Sequence, residues 1–387
     1  MIPGAPTLAM IPVSDLVDQY HSIQGEINEA AIRILASGEF ERGEELWALE
    51  SEIAAYCGVR RAVGVGSGYA SLFLALRALD IGPGDEVITV ANTDITTCSA
   101  ISHCGATIVW VDVDERTFNM DPDRVQTLIG PRTRAIIAVH LYGLPADVAQ
   151  LRRIADDHHL ALIEDAALAF GATVQGRRVG SFGDITCLSF APHKVLGAYG
   201  DGGMILTDRS DLADRIRVLA GYGEPWKESM AGPDGRLSLL VEGYHSHLDL
   251  LQAAILRVKL RHVDNWITAR QNRAELYSLL LAGTDAVVPY VPLDRTHVFR
   301  NYVIRVRHRD QVRRALADRG IDTALLYLPP LHLQPVYCAY GRSAGSYPIT
   351  ERLADELLCL PLYPELQEKD VHHIAREVRS ALAVAQH

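Results

Sequence analysis

The sequence predicts an α/β protein built on a mostly parallel sheet, followed by a smaller α+β unit. Between residues 61 and 207, short apolar or β-branched runs alternate with segments of helix length. The runs are apolar at every position, which is typical of parallel strands that helices cover on both faces. Beyond about residue 250, long amphipathic helices take over and lead into a mixed tail.

The individual elements follow from the spacing of apolar residues. Intervals of three and four predict N-terminal helices over 27–34 and 46–56. The predicted strands are 61–66, 86–90, 107–111, 134–139, 160–163, 185–190, 204–207 and 302–306. The other predicted helices are 71–79, 97–103, 146–158, 248–263, 267–281, 311–319 and 370–384. We place the boundary between a large domain, 1–255, and a small domain, 256–387, at the change of pattern.

Composition argues against several classes of protein. The 387 residues are 48% hydrophobic and 22% charged, which is ordinary for a globular chain. The net charge of −11 repels nucleic acid. No Lys or Arg precedes Arg33 and no stretch is apolar enough to cross a bilayer, so we expect a cytoplasmic protein without a membrane partner. Six cysteines without a CxxC pair predict reduced thiols and no metal site.

The loop from Gly64 to Ser71 is the first candidate site, because ligands of open α/β sheets bind where strands end. Its glycines leave a predicted strand and open a helix, whose free amides would bind a phosphate. The third glycine of the dinucleotide fingerprint is missing. Two alternatives stay open at this point: tight packing without a ligand, and the cofactor loop of an NAD-dependent enzyme.

Two further strand ends carry chemistry. Glu164 and Asp165 end an apolar run, and because strand side chains alternate, only one of them can face a given site. A helix N-cap is the alternative role for such a carboxylate. Lys194 lies among apolar residues, Gly and Pro, with no other formal charge until Asp201. A loop lysine is usually a surface charge, but such seclusion lowers the pKa of the amine, as a Schiff-base lysine requires.

A phosphate cradle, a strand-end carboxylate and a secluded lysine together are the parts of a pyridoxal 5'-phosphate (PLP) site. The lysine would bind the cofactor aldehyde and later move a proton at the amino donor. The carboxylate would keep the pyridine nitrogen protonated. We therefore predict Lys194 and Asp165 as catalytic residues and PLP as the cofactor.

Four ordered motifs resemble those of the DegT/StrS-type family of PLP-dependent sugar aminotransferases. They are Ser189-Phe-x-x-x-Lys194 with the glycine-rich run after it, Glu164-Asp165-Ala-Ala, His140-Leu-Tyr-Gly-x-Pro-Ala-Asp147 and Leu248-Asp-x-x-Gln-Ala-Ala-Ile-Leu256. The similarity extends from 11–15 to 360–365 and so covers nearly the whole chain.

The resemblance implies the type I fold of PLP-dependent aminotransferases and a homodimer with shared active sites. It implies transfer of an amino group, usually from L-glutamate, to a keto-deoxysugar attached to a nucleoside diphosphate. Pyridoxamine 5'-phosphate would be the intermediate form of the cofactor. Alternatives are a keto-cyclitol as the acceptor, a sugar dehydratase in which histidine replaces the lysine, and a non-catalytic regulatory protein.

The resemblance also assigns site residues by position. Ser189 and the backbone of Gly68 and Tyr69 would hold the cofactor phosphate, and Ala167 would lie against one face of the ring. The segment with His245 and Ser246 would reach into the site of the neighbouring subunit. The predicted substrate-binding residues are Tyr199, Tyr327, His332 and Gln334.

This chain departs from the family pattern at four positions. Asp94 stands where an aromatic residue commonly stacks on the pyridine ring, and Leu168 stands where Gln usually bonds the phenolic oxygen. His245 replaces an Asn from the neighbouring subunit, and Leu326 replaces a His of the substrate loop. We retain Asp94, Leu168 and His245 as predicted cofactor-site residues. The departures bear on ring stacking, the acceptor pocket and substrate choice.

Overall fold

The structure, a computed structural model, describes residues 10–226 and 239–385. Its strands are β1 (Arg61–Val65), β2 (Glu86–Val90), β3 (Thr107–Val111), β4 (Thr133–Val139), β5 (Ala161–Asp165), β6 (Thr173–Val174), β7 (Arg177–Arg178), β8 (Ile185–Ser189), β9 (Gly203–Thr207), β10 (Tyr302–Arg305) and β11 (Leu357–Leu360). Its helices are α1 (Leu16–Ser22), α2 (Gln24–Ser37), α3 (Glu44–Cys57), α4 (Gly68–Ala78), α5 (Ile95–His103), α6 (Pro122–Leu128), α7 (Val148–Asp157), α8 (Ser210–Ala220), α9 (Leu250–Leu260), α10 (Val263–Leu281), α11 (Arg309–Ala317), α12 (Pro348–Glu356) and α13 (Glu368–Ala385).

A seven-stranded sheet in the order β1-β9-β8-β5-β4-β2-β3 forms the centre of the fold. The pairs β2–β3, β2–β4, β4–β5 and β5–β8 are parallel, and β9 is antiparallel to both of its neighbours. The prediction of a mostly parallel sheet is therefore confirmed. Because the parallel strands share one direction, β2, β4, β5 and β8 end at the same edge of the sheet.

Helices cover both faces of the sheet, as the unbroken apolar strands predict. One face carries Ile163 and packs against α4, α5 and α8. The other face carries Leu162 and packs against α7, while α2, α3 and α9 cover its β1–β9–β8 end. Neighbouring residues of β5 thus belong to different apolar clusters, and this alternation also separates the two carboxylates that follow them.

A separate apolar cluster forms around the antiparallel pair β10–β11 and helices α10, α11 and α13. Helix α10 contributes Trp266 and Ile267 to the cluster beneath the large sheet and Ala274 and Tyr277 to this one. The long helix therefore links the two cores. The division of the chain between residues 255 and 256 stays a prediction.

The described ranges contain free cysteines, but no side-chain cluster suited to a metal ion and no helix suited to spanning a membrane. Cys57, Cys98, Cys104, Cys187 and Cys359 are buried free thiols, and Cys338 is an exposed one. Within 10–226 and 239–385, no group of three or more His, Cys, Asp or Glu side chains is arranged to hold a metal ion. None of the helices in those ranges combines the length and apolarity that crossing a membrane requires.

Candidate active site

A cavity of about 180 Å³ opens at the edge where the parallel strands end. Val139, Asp165 and Ser189 are the last residues of β4, β5 and β8, and all three line it. The full lining is Gly68, Tyr69, Leu72, Thr93, Asp94, Thr96, Val139, Asp165, Ala167, Leu168, Ser189, Ala191, Lys194 and Tyr327. Sequence positions more than 250 residues apart therefore meet in one cavity.

The start of helix α4 forms an anion cradle in this cavity. Ser67 caps the helix by accepting a hydrogen bond from the Ala70 amide at 3.0 Å. The amides of Gly68 and Tyr69 precede the first intrahelical hydrogen bond and are available to a ligand. A Cβ atom on Gly68 would lie 2.5 Å from the Cβ of Ser189, so only glycine allows this approach. The cradle thus combines two backbone amides with the Ser189 hydroxyl.

Asp165 is the buried carboxylate of the site. Its Oδ2 accepts a hydrogen bond from the Thr97 hydroxyl at 2.8 Å, and its Oδ1 accepts one from the Ala167 amide at 3.3 Å. Burial raises the pKa of Asp165, although Thr97, the Ala167 amide and the charge of Lys194 oppose the shift. A carboxylate in this setting favours a cationic N–H partner, because pairing offsets the cost of its desolvation.

Glu164, the neighbour of Asp165, serves the fold on the opposite face of β5. It accepts hydrogen bonds from His140 Nε2 at 3.0 Å and from the amides of Phe182 and Gly183 at 3.0 and 2.8 Å. Burial opposes ionisation, but the bonds from His140 and these amides prevail and lower the pKa of Glu164. As the alternation of strand side chains predicts, the two carboxylates point in opposite directions, and Asp165 is the one that lines the cavity.

The loop after β8 that carries Lys194 is held by its own backbone and by a buried lysine. The Lys194 amide donates to the Ala191 carbonyl at 2.9 Å. A Cβ atom on Gly197 would lie 2.3 Å from the Pro192 carbonyl oxygen, so the turn closes only over a glycine. Lys259 Nζ donates to the Gly197 carbonyl at 2.8 Å from beneath the loop. These contacts fix the direction in which Lys194 enters the cavity.

Several charges act on the Lys194 amine. Burial lowers the pKa of Lys194 and the positive charge of Arg300 lowers it further, while Asp165 and Asp94 oppose the shift. A lowered pKa increases the fraction of neutral amine, which is the form that attacks an aldehyde and accepts a proton. The sequence-based expectation of a secluded lysine with a depressed pKa agrees with this structure.

Asp94 occupies the cavity wall as a helix cap. Its Oδ1 accepts a hydrogen bond from the Thr96 amide at 3.0 Å and so starts helix α5. The aromatic residues of the wall are Tyr69 and Tyr327, and the Tyr69 hydroxyl lies 2.7 Å from His103 Nδ1. A carboxylate therefore stands at the position where the family resemblance leads us to expect a stacking ring.

Of the three predicted substrate residues in the loop after residue 325, the structure brings only Tyr327 into the cavity wall. The Leu331 amide donates to the Ala91 carbonyl at 3.0 Å and holds this loop against the end of β2. His332 is buried, with its Nε2 3.0 Å from Glu351 Oε1. Gln334 donates to the Pro329 carbonyl at 3.0 Å. His332 and Gln334 thus lie outside the lining and support the loop.

Tyr199 and His245 also lie outside the cavity lining of this subunit. The Tyr199 ring packs 3.9 Å beneath Lys259 Nζ, on the far side of the lysine loop. The His245 ring stacks on Tyr222 with 5.0 Å between centroids. The next residue, Ser246, accepts a hydrogen bond from the Gly66 amide at 3.0 Å. The predicted contacts of Tyr199 and His245 with cofactor or substrate stay predictions.

Sequence reasoning missed two residues that bear on the site. Thr97 donates the hydrogen bond that holds Asp165, and the run of three threonines around Asp94 was the available signal. Arg300 acts on Lys194, yet it precedes β10 in a segment where no strand ends. No pattern in the local sequence indicates its place.

The described residues fit PLP. The amides of helix α4 and the Ser189 hydroxyl match a phosphate, Asp165 matches the pyridine nitrogen, and Lys194 matches the aldehyde. The tight approach of Gly68 to Ser189 leaves the cradle open for an anion rather than filled by a side chain. Leu168 lines the cavity but offers no hydrogen bond to the phenolic oxygen.

Comparison with known proteins agrees with this arrangement. A "Pleiotropic regulatory protein" of Geobacillus stearothermophilus is 42% identical, over 95% of this chain and 97% of that protein. A dTDP-3-amino-3,4,6-trideoxy-alpha-D-glucose transaminase of Streptomyces venezuelae is 41% identical, over 95% of each chain. The crystal structure of S. venezuelae DesV in complex with a ketimine intermediate superposes with a TM-score of 0.92 at 41% identity, over 96% of this chain and 98% of that one.

Residues 21–379 match the model of the DegT/DnrJ/EryC1/StrS aminotransferase family, which is nearly the whole described chain. The protein has the fold of the PLP-dependent aminotransferases, with a mostly parallel seven-stranded sheet and helices on both faces. Lys194, Asp165 and the start of helix α4 line one cavity at the edge of that sheet. The chain belongs to the DegT/DnrJ/EryC1/StrS aminotransferase family.

Proposed function

We propose that this protein is a PLP-dependent aminotransferase that moves an amino group from L-glutamate to a keto-deoxysugar on a nucleoside diphosphate. One observation carries the proposal: Lys194, Asp165 and the open start of helix α4 line the same cavity. The name of the S. venezuelae relative, a transaminase of a dTDP-linked 3-amino sugar, supports a 3-keto hexose as the acceptor, and a 4-keto hexose stays the alternative. The cytoplasmic location stays a prediction from the sequence.

Each residue has a defined task in this chemistry. Bound PLP would supply an aldehyde for amines and an electron sink for the donor's Cα. Lys194, whose pKa is lowered by burial, would take a proton from the donor's Cα and return one to the acceptor carbon. Asp165 would hold the proton on the pyridine nitrogen, with Thr97 fixing its orientation. The α4 amides and Ser189 would bind the phosphate and prevent rotation of the ring.

Specific observations distinguish the proposed function from three alternatives. A keto-cyclitol acceptor would use the same lysine and differ only in the pocket beyond the cofactor. A dehydratase requires histidine in place of Lys194, and His193 instead faces Ser14, with Nδ1 3.0 Å from its hydroxyl. A regulatory role is favoured by the name of the Geobacillus relative. The retained Lys194 and Asp165 favour catalysis over that role.

We further propose a homodimer in which His245 serves the partner's site. His245 lies outside the lining of its own cavity and stacks on Tyr222. Nearby, Trp47 and Trp226 are 57% and 43% exposed and share one groove. Exposed tryptophans in a shared groove are typical of protein interfaces. The position of His245 and the exposed tryptophans both favour a second copy of this chain as the partner.

The first prediction concerns the cofactor lysine. The purified protein with added PLP should show the yellow absorption of lysine-bound PLP, and L-glutamate should bleach it. Lys194→Ala should lack the lysine-bound band because no amine reaches the aldehyde. Absorption spectra before and after glutamate test this directly. If the parent binds no PLP, the assignment of Lys194 and Asp165 is wrong; if it binds PLP but ignores glutamate, the donor is wrong.

The second prediction uses Glu164 and Asp165 as a matched pair. Asp165→Asn should lower turnover by about 10²- to 10³-fold, because it removes the charge beside the pyridine nitrogen. Glu164→Gln should keep turnover per folded molecule but lower the free energy of unfolding by about 1–3 kcal/mol, because it weakens a buried hydrogen-bonded network. Urea unfolding and steady-state kinetics measure the two effects. Loss of activity in both variants at equal stability would contradict the division of roles.

The third prediction separates two roles of Asp94. Asp94→Ala should reduce turnover about tenfold or more without loss of PLP, if the carboxylate contacts the substrate. Asp94→Asn is the control, because Asn can still cap helix α5 while the charge is absent. We expect both variants to be impaired and both to retain bound PLP, measured by release of the cofactor in base. Normal turnover in Asp94→Asn would show that only the cap matters.

The fourth prediction tests the shared site. Lys194→Ala and His245→Ala should each be inactive as pure proteins. A mixed dimer would then have one intact site, so an equal mixture after exchange of subunits should regain about a quarter of the parent activity. Activity assays of the mixture against the separate variants measure this. No regain, an active His245→Ala, or a monomer mass by sedimentation equilibrium would each contradict the proposal.

A further inference from the structure

Arg300 is a cation without a counter-ion beside the candidate site. Its Nε is buried and has no hydrogen-bond partner, while the residue as a whole keeps partial access to solvent. Among residues 10–226 and 239–385, no carboxylate forms an ion pair with its guanidinium. Arginine is almost never buried without a partner, because the cost of desolvating its charge is large. The unpaired state indicates that its partner is an anion from outside the described chain.

Backbone contacts hold Arg300 behind the cavity wall. The Val298 amide donates to the Gly143 carbonyl at 3.0 Å, and the Asn301 amide donates to the Tyr142 carbonyl at 3.2 Å. Gly143 has a φ of +105°, and a Cβ atom there would lie 2.9 Å from Arg300 N and 3.2 Å from Leu168 O. Leu168 lines the cavity, so the Arg300 backbone lies one residue behind its wall.

The electrostatic effects of Arg300 also indicate that its side chain lies near the cavity. Its charge lowers the pKa of Lys194, so it acts on the amine at which transamination occurs. Burial lowers the pKa of Arg300. Tyr327, a residue of the cavity wall, has the largest effect in the opposite direction. Both effects are those expected of a charge that lies close to the cavity.

Arg270 provides a contrast, because it is buried close to Arg300 but is already satisfied in part by the chain. Its Nη1 donates to the Leu362 carbonyl at 2.8 Å. The carboxylate of Glu365 also acts on it. Arg270 is thus a structural cation of helix α10, whereas Arg300 keeps its donors for a ligand.

We propose that Arg300 binds the carboxylate of a substrate in this cavity. The proposal rests on the proposed aminotransferase function and adds a specificity residue to it. A guanidinium is suited to a carboxylate because its planar fork donates two parallel hydrogen bonds. Every amino-acid donor brings an α-carboxylate next to the reacting Cα, which must approach Lys194. A keto sugar that carries a carboxyl group would bring the same chemistry from the acceptor.

The test measures ligand binding on the PLP-loaded protein as well as kinetics. Glutarate serves as the probe for the donor, because it has the two carboxylates but no amine to react. A nucleotide-linked keto sugar with a carboxyl group, compared with its neutral counterpart, probes the acceptor. Arg300→Gln removes the charge and Arg300→Lys retains it without the fork. Arg307→Gln is the matched control, because Arg307 is exposed and its substitution changes the net charge equally.

We expect Arg300→Gln to weaken glutarate binding about 10- to 100-fold and to raise the KM for L-glutamate more than it lowers kcat. Arg300→Lys should be intermediate, and Arg307→Gln should match the parent. The affinity for PLP should change less than about twofold, since Arg300 is not in the phosphate cradle. If binding of the carboxylated sugar weakens and that of glutarate does not, the acceptor is the source of the carboxylate.

Two results would overturn the proposal. One is an affinity of Arg300→Gln for both carboxylate ligands that stays within about twofold of the parent value. The other is equal weakening in Arg300→Lys and Arg300→Gln together with a lost circular dichroism spectrum, which would show that Arg300 only supports the fold. Failure of the proposed function itself is distinguishable, because the parent protein would then not be bleached by L-glutamate at all.

Discussion

The burial of two adjacent carboxylates on opposite faces of strand β5 is the constraint on which the site depends. Glu164 is held by His140 and by the amides of Phe182 and Gly183, so the end of the strand cannot rotate. The alternation of a strand then sends Asp165 to the face that α4 and α5 cover. Thr97 of α5 completes its orientation. Glu164 thus fixes the position of Asp165, and the cavity forms around Asp165.

The elements that position this site were predictable because their sequence signal is local. Buried parallel strands must be apolar at every position, so the predicted strand 185–190 agrees with the observed Ile185–Ser189 to within one residue. Ligands of such a sheet bind where strands end, so the sequence alone predicts Asp165 and Lys194, and the family resemblance adds Ser189. Strand β11 was not predicted, because its four apolar residues follow helix α12 directly and pair with β10 about fifty positions earlier.

The direction of individual side chains was less predictable, because distant contacts decide it. The family resemblance locates the loop with His332 beside the site, but the hydrogen bond to Glu351 turns this ring away from the cavity. Tyr199 follows the lysine loop in sequence, yet Lys259 from helix α9 holds its ring beneath that loop. Arg300 lies behind the cavity wall because its neighbours Val298 and Asn301 bond to the backbone of Gly143 and Tyr142, more than 150 residues earlier. Such pairings have no signature in the sequence around the residue they place.

The charges around the cavity explain why an acid at position 94 is compatible with a lysine-dependent site. Lys194 and Arg300 bring two positive charges into a poorly solvated space, and the charge of Arg300 lowers the pKa of the lysine. Asp94 and Asp165 bring two negative charges and act on the same amine in the opposite direction. A neutral aromatic residue at position 94 would leave the two cations facing a single carboxylate. Asp94 therefore opposes the effect of Arg300 on the Lys194 amine while it also caps helix α5.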